Sequence, residues 1–220
     1  MTGAAREELL GRVRAALGPS AGPREGVAIP RAYRRAGRET APGASAVVER
    51  FCARVAEYRA RVHRARAGEL EALVGDLLAG RRVLVPPAPP CAAGVVDALP
   101  DEPPLTAREL DGADAVLTGC ALAIAETGTI VLDGSPACGR RALTLVPDHH
   151  VCVVRAEQIL ADVPAALDAL AQAGAATRPI TLVSGPSATS DIELERVEGV
   201  HGPRTLDVVV VAGSAAPAGA

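Results

Sequence analysis

The sequence predicts an α/β fold in which helices cover both faces of a β-sheet. Short runs rich in Val and Leu, typical of strands buried on both faces, recur between residues 81 and 213. Helical patterns precede these runs and lie between some of them, as in α/β proteins. The chain has 220 residues, 49% of them apolar, which is enough for about one domain with a sizeable core.

The first 45 residues are predicted to form a helix and an extended arm. Apolar residues recur at helical spacing over residues 4–17, and Gly18-Pro19 would end that helix. Residues 18–45 are rich in Gly, Pro and Arg and have little apolar periodicity. Such a segment is typical of an arm that wraps a partner or another subunit, or that is simply mobile.

The α/β domain is predicted over residues 46–212, followed by a flexible tail at 213–220. Two helices are expected within residues 46–79. Residues 156–172 are predicted to be helical, with Pro164 breaking or restarting the helix. The predicted strands are RRVLVPP (81–87), DAVLTG (114–119), TIVLDG (129–134), ALTLVP (142–147), VCVV (151–154), PITLVSG (179–185) and TLDVVVVAG (205–213).

The composition excludes several classes of function. The chain has no lysine, which removes Schiff-base chemistry and the lysine of a phosphate-binding loop. The five cysteines form no CxxC pair, and no GxGxxG dinucleotide motif is present, so we expect no cofactor. Because only three residues are aromatic, nucleic-acid binding by base stacking is not expected. With no signal-peptide pattern and no long apolar run, we expect a cytoplasmic protein without a membrane span.

Charge is distributed unevenly along the chain. Residues 1–82 contain 16 arginines and 9 acidic residues, whereas residues 83–220 contain 7 arginines and 17 acidic residues. The basic third favours an acidic partner or a phosphate surface, unless its arginines merely keep Ala-rich helices in solution.

The stretch ALAIAETGTIVLDG (121–134) carries the first candidate site. Glu126 interrupts an apolar run, and a buried carboxylate must be paired, hydrogen-bonded or shifted in pKa. Gly128, between Thr127 and Thr129, permits a tight turn whose N–H groups can meet an anion. The alternative is a hairpin turn with Glu126 at its exposed tip.

A second candidate lies in VSGPSATSDIELE (183–195). Gly185 and Ser187 follow a predicted strand, and Ser190 with Glu193 fits a capping box, so a helix start could bind a phosphate or carboxylate there. If the segment is a strand instead, its acidic residues share one face and favour a cation or a basic partner; they are Asp191, Glu193 and Glu195.

Two further motifs contain histidine. In GVHGPR (199–204), turn residues flank His201, which suits an acid, a base or a hydrogen-bond donor, and Arg204 could hold a carboxylate. In the stretch 135–154, Arg141 precedes a predicted strand, and the adjacent pair His149-His150 follows it. Because neighbours on a strand point to opposite faces, we do not expect both histidines to bind one metal. The same stretch contains Cys138, the best candidate for an exposed thiol with a lowered pKa, although a thiol without a role is the simpler interpretation.

The motifs AIAETGTIVL, GRRALTLVP, SGPSATSDIE and GVHGPR occur in the order expected of one family. Over about residues 46–212 the chain resembles the lactate-utilisation protein C family, also called the LUD-domain group. The resemblance implies a Rossmann-like open, mostly parallel sheet between helices, similar to the sugar-phosphate isomerase and CoA-transferase superfamily. It also implies a role in oxidising L-lactate to pyruvate alongside an iron–sulfur protein and a second cysteine-rich protein. Glu126-Thr127-Gly128 looks like the acyl-accepting element of CoA-transferases, but their Gly-rich oxyanion loop is missing.

Three functions remain open from the sequence. The first is a lactate-oxidising subunit that binds a small anion at strand-end loops on the carboxyl edge of the sheet, with a homo-oligomer as an open alternative to a monomer. The second is a free-standing acyl- or phospho-transfer enzyme that uses Glu126. The third is a non-catalytic assembly factor that docks its basic N-terminal region on the iron–sulfur partner. The candidate catalytic residues are Glu126 and His201; the candidate ligand-binding residues are Thr127, Gly128, Thr129, Arg141, Gly185, Ser187, Thr189, Asp191 and Arg204.

Overall fold

The structure is a computed structural model that describes residues 3–18, 41–186, 188–190, 196–198 and 201–212. The chain divides into two units, residues 1–34 and 35–220. The predicted boundary near residue 45 stays a prediction, and the predicted tail and most of the predicted arm lie outside the described residues.

The first unit contains one described helix and the second contains the remaining elements. The helices are α1 (Gly3–Leu17), α2 (Ser45–Glu57), α3 (Leu70–Leu77), α4 (Ala107–Asp111) and α5 (Val163–Gln172). The strands are β1 (Arg61–Ala65), β2 (Arg82–Val85), β3 (Asp97–Pro100), β4 (Ala115–Thr118), β5 (Leu122–Ile124), β6 (Thr129–Leu132), β7 (His149–Arg155), β8 (Ile159–Leu160), β9 (Thr181–Val183), β10 (Ala188–Ser190), β11 (Arg196–Glu198) and β12 (Thr205–Val211).

A six-stranded sheet forms the centre of the second unit. Its strand order is β1-β12-β7-β4-β2-β3, and every described pair in it is parallel. The predicted α/β fold with a mostly parallel sheet between helices is therefore confirmed. Its most interior strands are the most apolar, since β7 and β12 have neighbours on both sides and are buried along almost their whole length.

Each face of this sheet is covered by a different layer. Helix α3 packs on one face through Leu70 and Val74, together with Leu78, which directly follows the helix. Helix α2 and a second, four-stranded sheet cover the other face. That second sheet has the order β8-β5-β6-β9 and mixes parallel with antiparallel pairs. Helix α5 packs on it through Ala166 and Leu170.

The predicted helix over 156–172 is interrupted, as Pro164 indicated. Residues Ala156–Gln158 form one 3-10 turn, β8 follows, and α5 begins at Val163 with Pro164 in its first turn. The side chain of Asp162 caps α5 by accepting a hydrogen bond of 2.9 Å from the N–H of Ala165.

One sequence prediction of secondary structure was wrong, and another, the pair of helices within residues 46–79, was right but missed a strand between them. Residues 142–147 were predicted to be a strand, but Arg141–Thr144 form a 3-10 helix. The guanidinium of Arg141 donates to the carbonyl of Thr144 at 2.8 Å, which favours the tight turn over an extended strand. The segment 46–79 contains β1 between its two helices. Its sequence RVHRA lacks strand character because β1 is an edge strand whose polar side chains bind the neighbouring strand and α2.

A helix was predicted to begin after Ser190, with a strand as the alternative, and residues 188–190 form strand β10. Strand β10 ends at Ser190 and pairs antiparallel with β11, while residues 191–195 lie outside the description. None of the described helices is both long and apolar enough to cross a bilayer.

Candidate functional site

A cavity of about 220 Å³ opens between the two sheets of the second unit. The wall from the six-stranded sheet consists of His150, near the start of β7, and Leu206, near the start of β12. The cavity thus lies beside the amino ends of two parallel strands, whereas the sequence analysis expected a site at their carboxyl ends. The other lining residues are Arg141, Thr144, Thr181, Leu182, Val183, Ser184, Gly185, Pro186, His201, Gly202 and Pro203.

Arg141 supplies the cationic group of the cavity. Its Nη1 donates to the carbonyl of Thr144 at 2.8 Å and to the hydroxyl of Thr144 at 3.0 Å, and its Nη2 donates to the carbonyl of His201 at 3.1 Å. Loss of surrounding water lowers the pKa of Arg141 from its usual value. These bonds fix the guanidinium between the 3-10 turn and the 201–203 bend.

The bonding of Arg141 differs from that of neighbouring arginines. Arg140 binds both carboxylate oxygens of Asp101, at 2.6 and 2.7 Å. Arg178 binds Asp133 at 2.9 Å. Within the part of the chain that the structure describes, Arg141 bonds only to neutral oxygens. Its positive charge therefore has no carboxylate partner among the described residues.

His150 is the buried imidazole of the cavity wall, with 1% of its surface exposed. Its Nε2 lies 2.8 Å from the hydroxyl of Thr118 on the adjacent strand β4. The neighbouring His149 points to the opposite face of the sheet, where its Nε2 lies 2.6 Å from Asp207. The expectation that the two histidines face different environments is confirmed.

The turn at 126–129 connects β5 and β6 and approaches the cavity through hydroxyl groups. The hydroxyls of Thr127 and Thr129 are 2.7 Å apart, and that of Thr129 is 2.8 Å from the hydroxyl of Ser184, which lines the cavity. Glu126 is half-buried in this turn, and its N–H donates to the carbonyl of Ala161. Neither Glu126 nor the two threonines line the cavity itself.

Two of the glycines identified from the sequence allow close packing against the end of α2. A Cβ at Gly128 would lie 2.7 Å from the backbone of Arg54, and one at Gly185 would lie 2.6 Å from Tyr58. Both glycines have positive φ, +60° and +82°, which side chains rarely adopt. Because both pack on α2, they bring the 126–129 turn and the 184–186 bend together.

The remaining predicted residues are not brought to the cavity in the described structure. Arg204 is exposed and binds Asp148 at 2.7 Å. Thr189 lies in β10, but its side chain is outside the description, and Ser187 and Asp191 lie outside the described residues altogether. Of the eleven candidates, Arg141, Gly185 and His201 line the cavity.

Four polar residues of the cavity were missed by the sequence analysis: Thr144, His150, Thr181 and Ser184. His150 was considered only as half of a metal pair, although a histidine that starts a buried Val-rich strand is itself a signal. Ser184 and Thr181 lie within the predicted strand 179–185 and gave no signal of their own. The expected exposed thiol was wrong, since Cys138 is 1% exposed and burial raises its pKa to about 11.

No three His, Cys, Asp or Glu side chains within the described ranges are arranged to hold a metal ion. The cavity instead combines one guanidinium, hydroxyls and two imidazoles, a set that suits a small organic anion.

The LUD domain family matches residues 97–211, which include most of the cavity. A curated relative, "Lactate utilization protein C" of Deinococcus radiodurans, is 53% identical over 75% of this chain and 79% of its own length. The protein of the same name from Bacillus subtilis is 32% identical over 47% of this chain and 45% of its own length.

A solved structure shares the fold. The crystal structure of a DUF162 family protein from Deinococcus radiodurans superposes with a TM-score of 0.65 at 43% identity. The match covers 76% of this chain and 97% of that one. The family match, the relative and the shared fold agree, and the chain belongs to the LUD-domain family.

Proposed function

We propose that the chain binds a small carboxylic acid in the cavity and acts in lactate utilisation. The observation that carries the proposal is the guanidinium of Arg141, which lines the cavity and has only neutral oxygen partners among the described residues. The names of the relatives from Deinococcus radiodurans and Bacillus subtilis support a 2-hydroxy or 2-oxo acid such as L-lactate or pyruvate.

The size and chemistry of the cavity suit such a ligand. A volume of about 220 Å³ corresponds to roughly seven water molecules, since one water takes ~30 Å³ of the liquid. Arg141 would hold the carboxylate by charge-assisted hydrogen bonds. His150 and His201 line the same cavity. An imidazole can exchange a proton with the hydroxyl of a 2-hydroxy acid near neutral pH. The electron acceptor for oxidation would come from an iron–sulfur partner protein.

Calorimetric titration of the full chain with L-lactate and with pyruvate tests this proposal. We expect saturable binding of at least one acid by the wild type. The Arg141→Gln variant should bind about 10- to 100-fold more weakly, because one charge-assisted bond contributes roughly 1.5–3 kcal/mol. Arg204→Gln is the matched control, since Arg204 is also exposed but pairs with Asp148 outside the cavity.

Two results would contradict the proposal. The first is the absence of saturable binding of either acid to the wild type. The second is equal affinity in the wild type and in Arg141→Gln, which would show that the guanidinium does not hold the ligand.

The assembly role is favoured by one observation on α1. Leu9, Val13 and Leu17 recur every four residues and are 55%, 47% and 60% exposed. An apolar stripe of this kind is typical of a helix that docks on a partner. We propose that α1 contacts an iron–sulfur protein of the lactate system.

Co-purification of the chain with its iron–sulfur partner tests the assembly role. Removing residues 1–45 should abolish the complex, while unchanged circular dichroism would show that the remaining domain is folded. Replacing Leu9, Val13 and Leu17 with Ser should weaken the complex without changing the length of the chain. Undiminished co-purification of both variants would exclude docking through α1.

A further inference from the structure

We propose that Thr118 is a positioning residue that holds His150 as its Nε2–H tautomer, so that the cavity selects a 2-hydroxy acid over a 2-oxo acid. The inference rests on the proposed binding of a small carboxylic acid in the cavity and names the class of acid. It follows from a run of hydrogen bonds that begins at His150 in the cavity wall and ends at the backbone carbonyl of Gly119.

The register of the six-stranded sheet brings the members of this run together. Val116 and Thr118 of β4 lie opposite His150 and Cys152 of β7, respectively. Because side chains two residues apart on a strand share a face, Thr118, His150 and Cys152 point to the same side of the sheet. All three are buried. Their polar groups are therefore removed from bulk water and depend on one another for hydrogen bonds.

The far end of the run sets the direction of its hydrogen bonds. A backbone carbonyl can only accept, so the S–H of Cys152 donates to the carbonyl of Gly119 at 3.6 Å. The sulfur then has no proton for Thr118, and the hydroxyl of Thr118 donates to it at 3.8 Å. Since a hydroxyl has one proton, the oxygen of Thr118 accepts from the N–H at Nε2 of His150, 2.8 Å away.

The opposite direction gives one hydrogen bond fewer. If the hydroxyl of Thr118 donated to His150, no proton would lie between Thr118 and the sulfur of Cys152. Bonds to sulfur are weak, but buried polar groups favour the arrangement that pairs the most donors and acceptors. The hydrogen bonds therefore place the proton of His150 on Nε2.

The other ring nitrogen of His150 is left as an acceptor toward the cavity. A neutral imidazole carries one N–H, so a proton on Nε2 leaves a lone pair on Nδ1. Among the described residues, Nδ1 of His149 is the one side-chain nitrogen or oxygen that is both sealed from solvent and without a hydrogen bond. Nδ1 of His150 bonds to no described residue either, so solvent must reach it. Since His150 lines the cavity, a ligand there can reach Nδ1.

An acceptor at this position distinguishes two acids that share a carboxylate. The hydroxyl of a 2-hydroxy acid can donate to Nδ1, whereas the carbonyl oxygen of a 2-oxo acid can only accept and would face another lone pair. Arg141 would hold the carboxylate of either acid, because it lines the same cavity and a guanidinium only donates. Leaving a buried polar group unpaired weakens binding about 10- to 100-fold, so we expect L-lactate to bind more tightly than pyruvate by this factor.

Nitrogen-15 NMR of the histidine side chains in the full-length chain measures the tautomer without any ligand. At about pH 8, where an ordinary imidazole is neutral, we expect the proton of His150 on Nε2. The signal is assigned by its loss in His150→Gln. Thr118→Val removes the hydroxyl with little change in shape, and the proton should then be shared between both ring nitrogens. Thr118→Ser keeps a hydroxyl and should keep the tautomer.

Calorimetric titration with both acids tests the selectivity. We expect wild type and Thr118→Ser to prefer L-lactate about 10- to 100-fold, and a Thr118→Val chain that is folded by circular dichroism to show a smaller preference. A proton on Nδ1 of His150 in wild type, pyruvate binding as tight as that of L-lactate, or an unchanged preference in folded Thr118→Val would overturn this inference alone. If neither acid binds to the wild type, the proposed function fails and the selectivity fails with it.

Discussion

Replacing Asp207 should destabilise the second unit more than any surface substitution. Asp207 lies in the interior strand β12, and its side chain is 0% exposed. One carboxylate oxygen lies 2.6 Å from Nε2 of His63. The other lies 2.6 Å from Nε2 of His149 and 2.5 Å from Nη2 of Arg61. The three neighbours bind one buried charge.

The structure sets the size of the expected loss for Asp207→Ala. His149 already has one buried ring nitrogen, Nδ1, that has no hydrogen-bond partner among the described residues. The substitution would remove the partner of the second ring nitrogen of His149, Nε2, as well. Removing one partner of a buried charged pair costs about 3–5 kcal/mol. For a unit of this size, each kcal/mol lowers Tm by ~2–4 °C, so we expect Tm to fall by roughly 6–20 °C.

The pH dependence of stability provides a second, independent measure. Although burial opposes it, hydrogen bonds from His149, His63 and Arg61 lower the pKa of Asp207 to about 2. Because this folded-state pKa is below the unfolded value of ~3.9, the contribution is fully present above pH 4. It is lost as pH falls from about 4 through 2. The difference between the folded and unfolded pKa corresponds to about 2–3 kcal/mol of stability.

Urea unfolding followed by circular dichroism at pH 7, 4 and 2 measures both effects. We expect wild type and Asp207→Ala to differ by several kcal/mol at pH 7 and by less at pH 2. Asp207→Asn should be intermediate, because the amide oxygen can still accept one of the hydrogen bonds. Equal free energies of unfolding at pH 7, or a difference that grows as pH falls, would refute the reasoning.

Two further substitutions test the packing around the cavity. Gly185→Ala should lower the free energy of unfolding by about 2–4 kcal/mol, because the new Cβ would overlap Tyr58 and the backbone has a strained positive φ. Gly80 has a similar φ but open space around it, so Gly80→Ala should lower the free energy of unfolding by only about 1 kcal/mol. Equal losses for the two variants in urea unfolding would exclude the clash with Tyr58. Arg140→Ala should lower the free energy of unfolding by about 3 kcal/mol, because the buried carboxylate of Asp101 would lose its ion pair. Arg140→Lys should recover only part of this loss, because lysine cannot form the bidentate pair. An Arg140→Ala chain as stable as wild type would contradict the importance of that pair.

The strands could be predicted where the sheet is buried on both faces. Interior strands such as β7 and β12 are runs of Val and Leu, because apolar layers cover both of their faces. Strand β1 could not be found this way, since it has a neighbour on one side only and its side chains bind Asp207 and Glu49. The run ALTLVP has the composition of a strand, but the bonds of Arg141 to Thr144 favour a turn, and these depend on a side chain outside the run.

The candidate site could be predicted in part, because glycine turns are visible in sequence whereas convergence of side chains is not. Gly185 and His201 belong to motifs with several turn residues, and both line the cavity. Asp207 was missed although it stands in the apolar run TLDVVVV, where an ionisable residue must have partners. The expectation that an ionisable residue in an apolar run has partners was applied to Glu126 instead, and the fold places Glu126 in a half-buried turn.

The position of the cavity follows from what fills the usual crevice of an open parallel sheet. In open parallel sheets, ligands bind at the carboxyl edge, between two neighbouring strands whose connections run in opposite directions. Here the chain runs from β2 outward to β3, and from β4 in the opposite direction to β7. The 133–139 loop covers that point. The N–H of Ala88 donates to its carbonyl at Pro136, and the N–H of Gly119 donates to its carbonyl at Ala137, both at 2.9 Å. Since the loops that follow β2 and β4 are both bonded to this segment, the crevice is occupied by the chain itself. The gap between the two sheets at the amino ends of β7 and β12 remains open to a ligand.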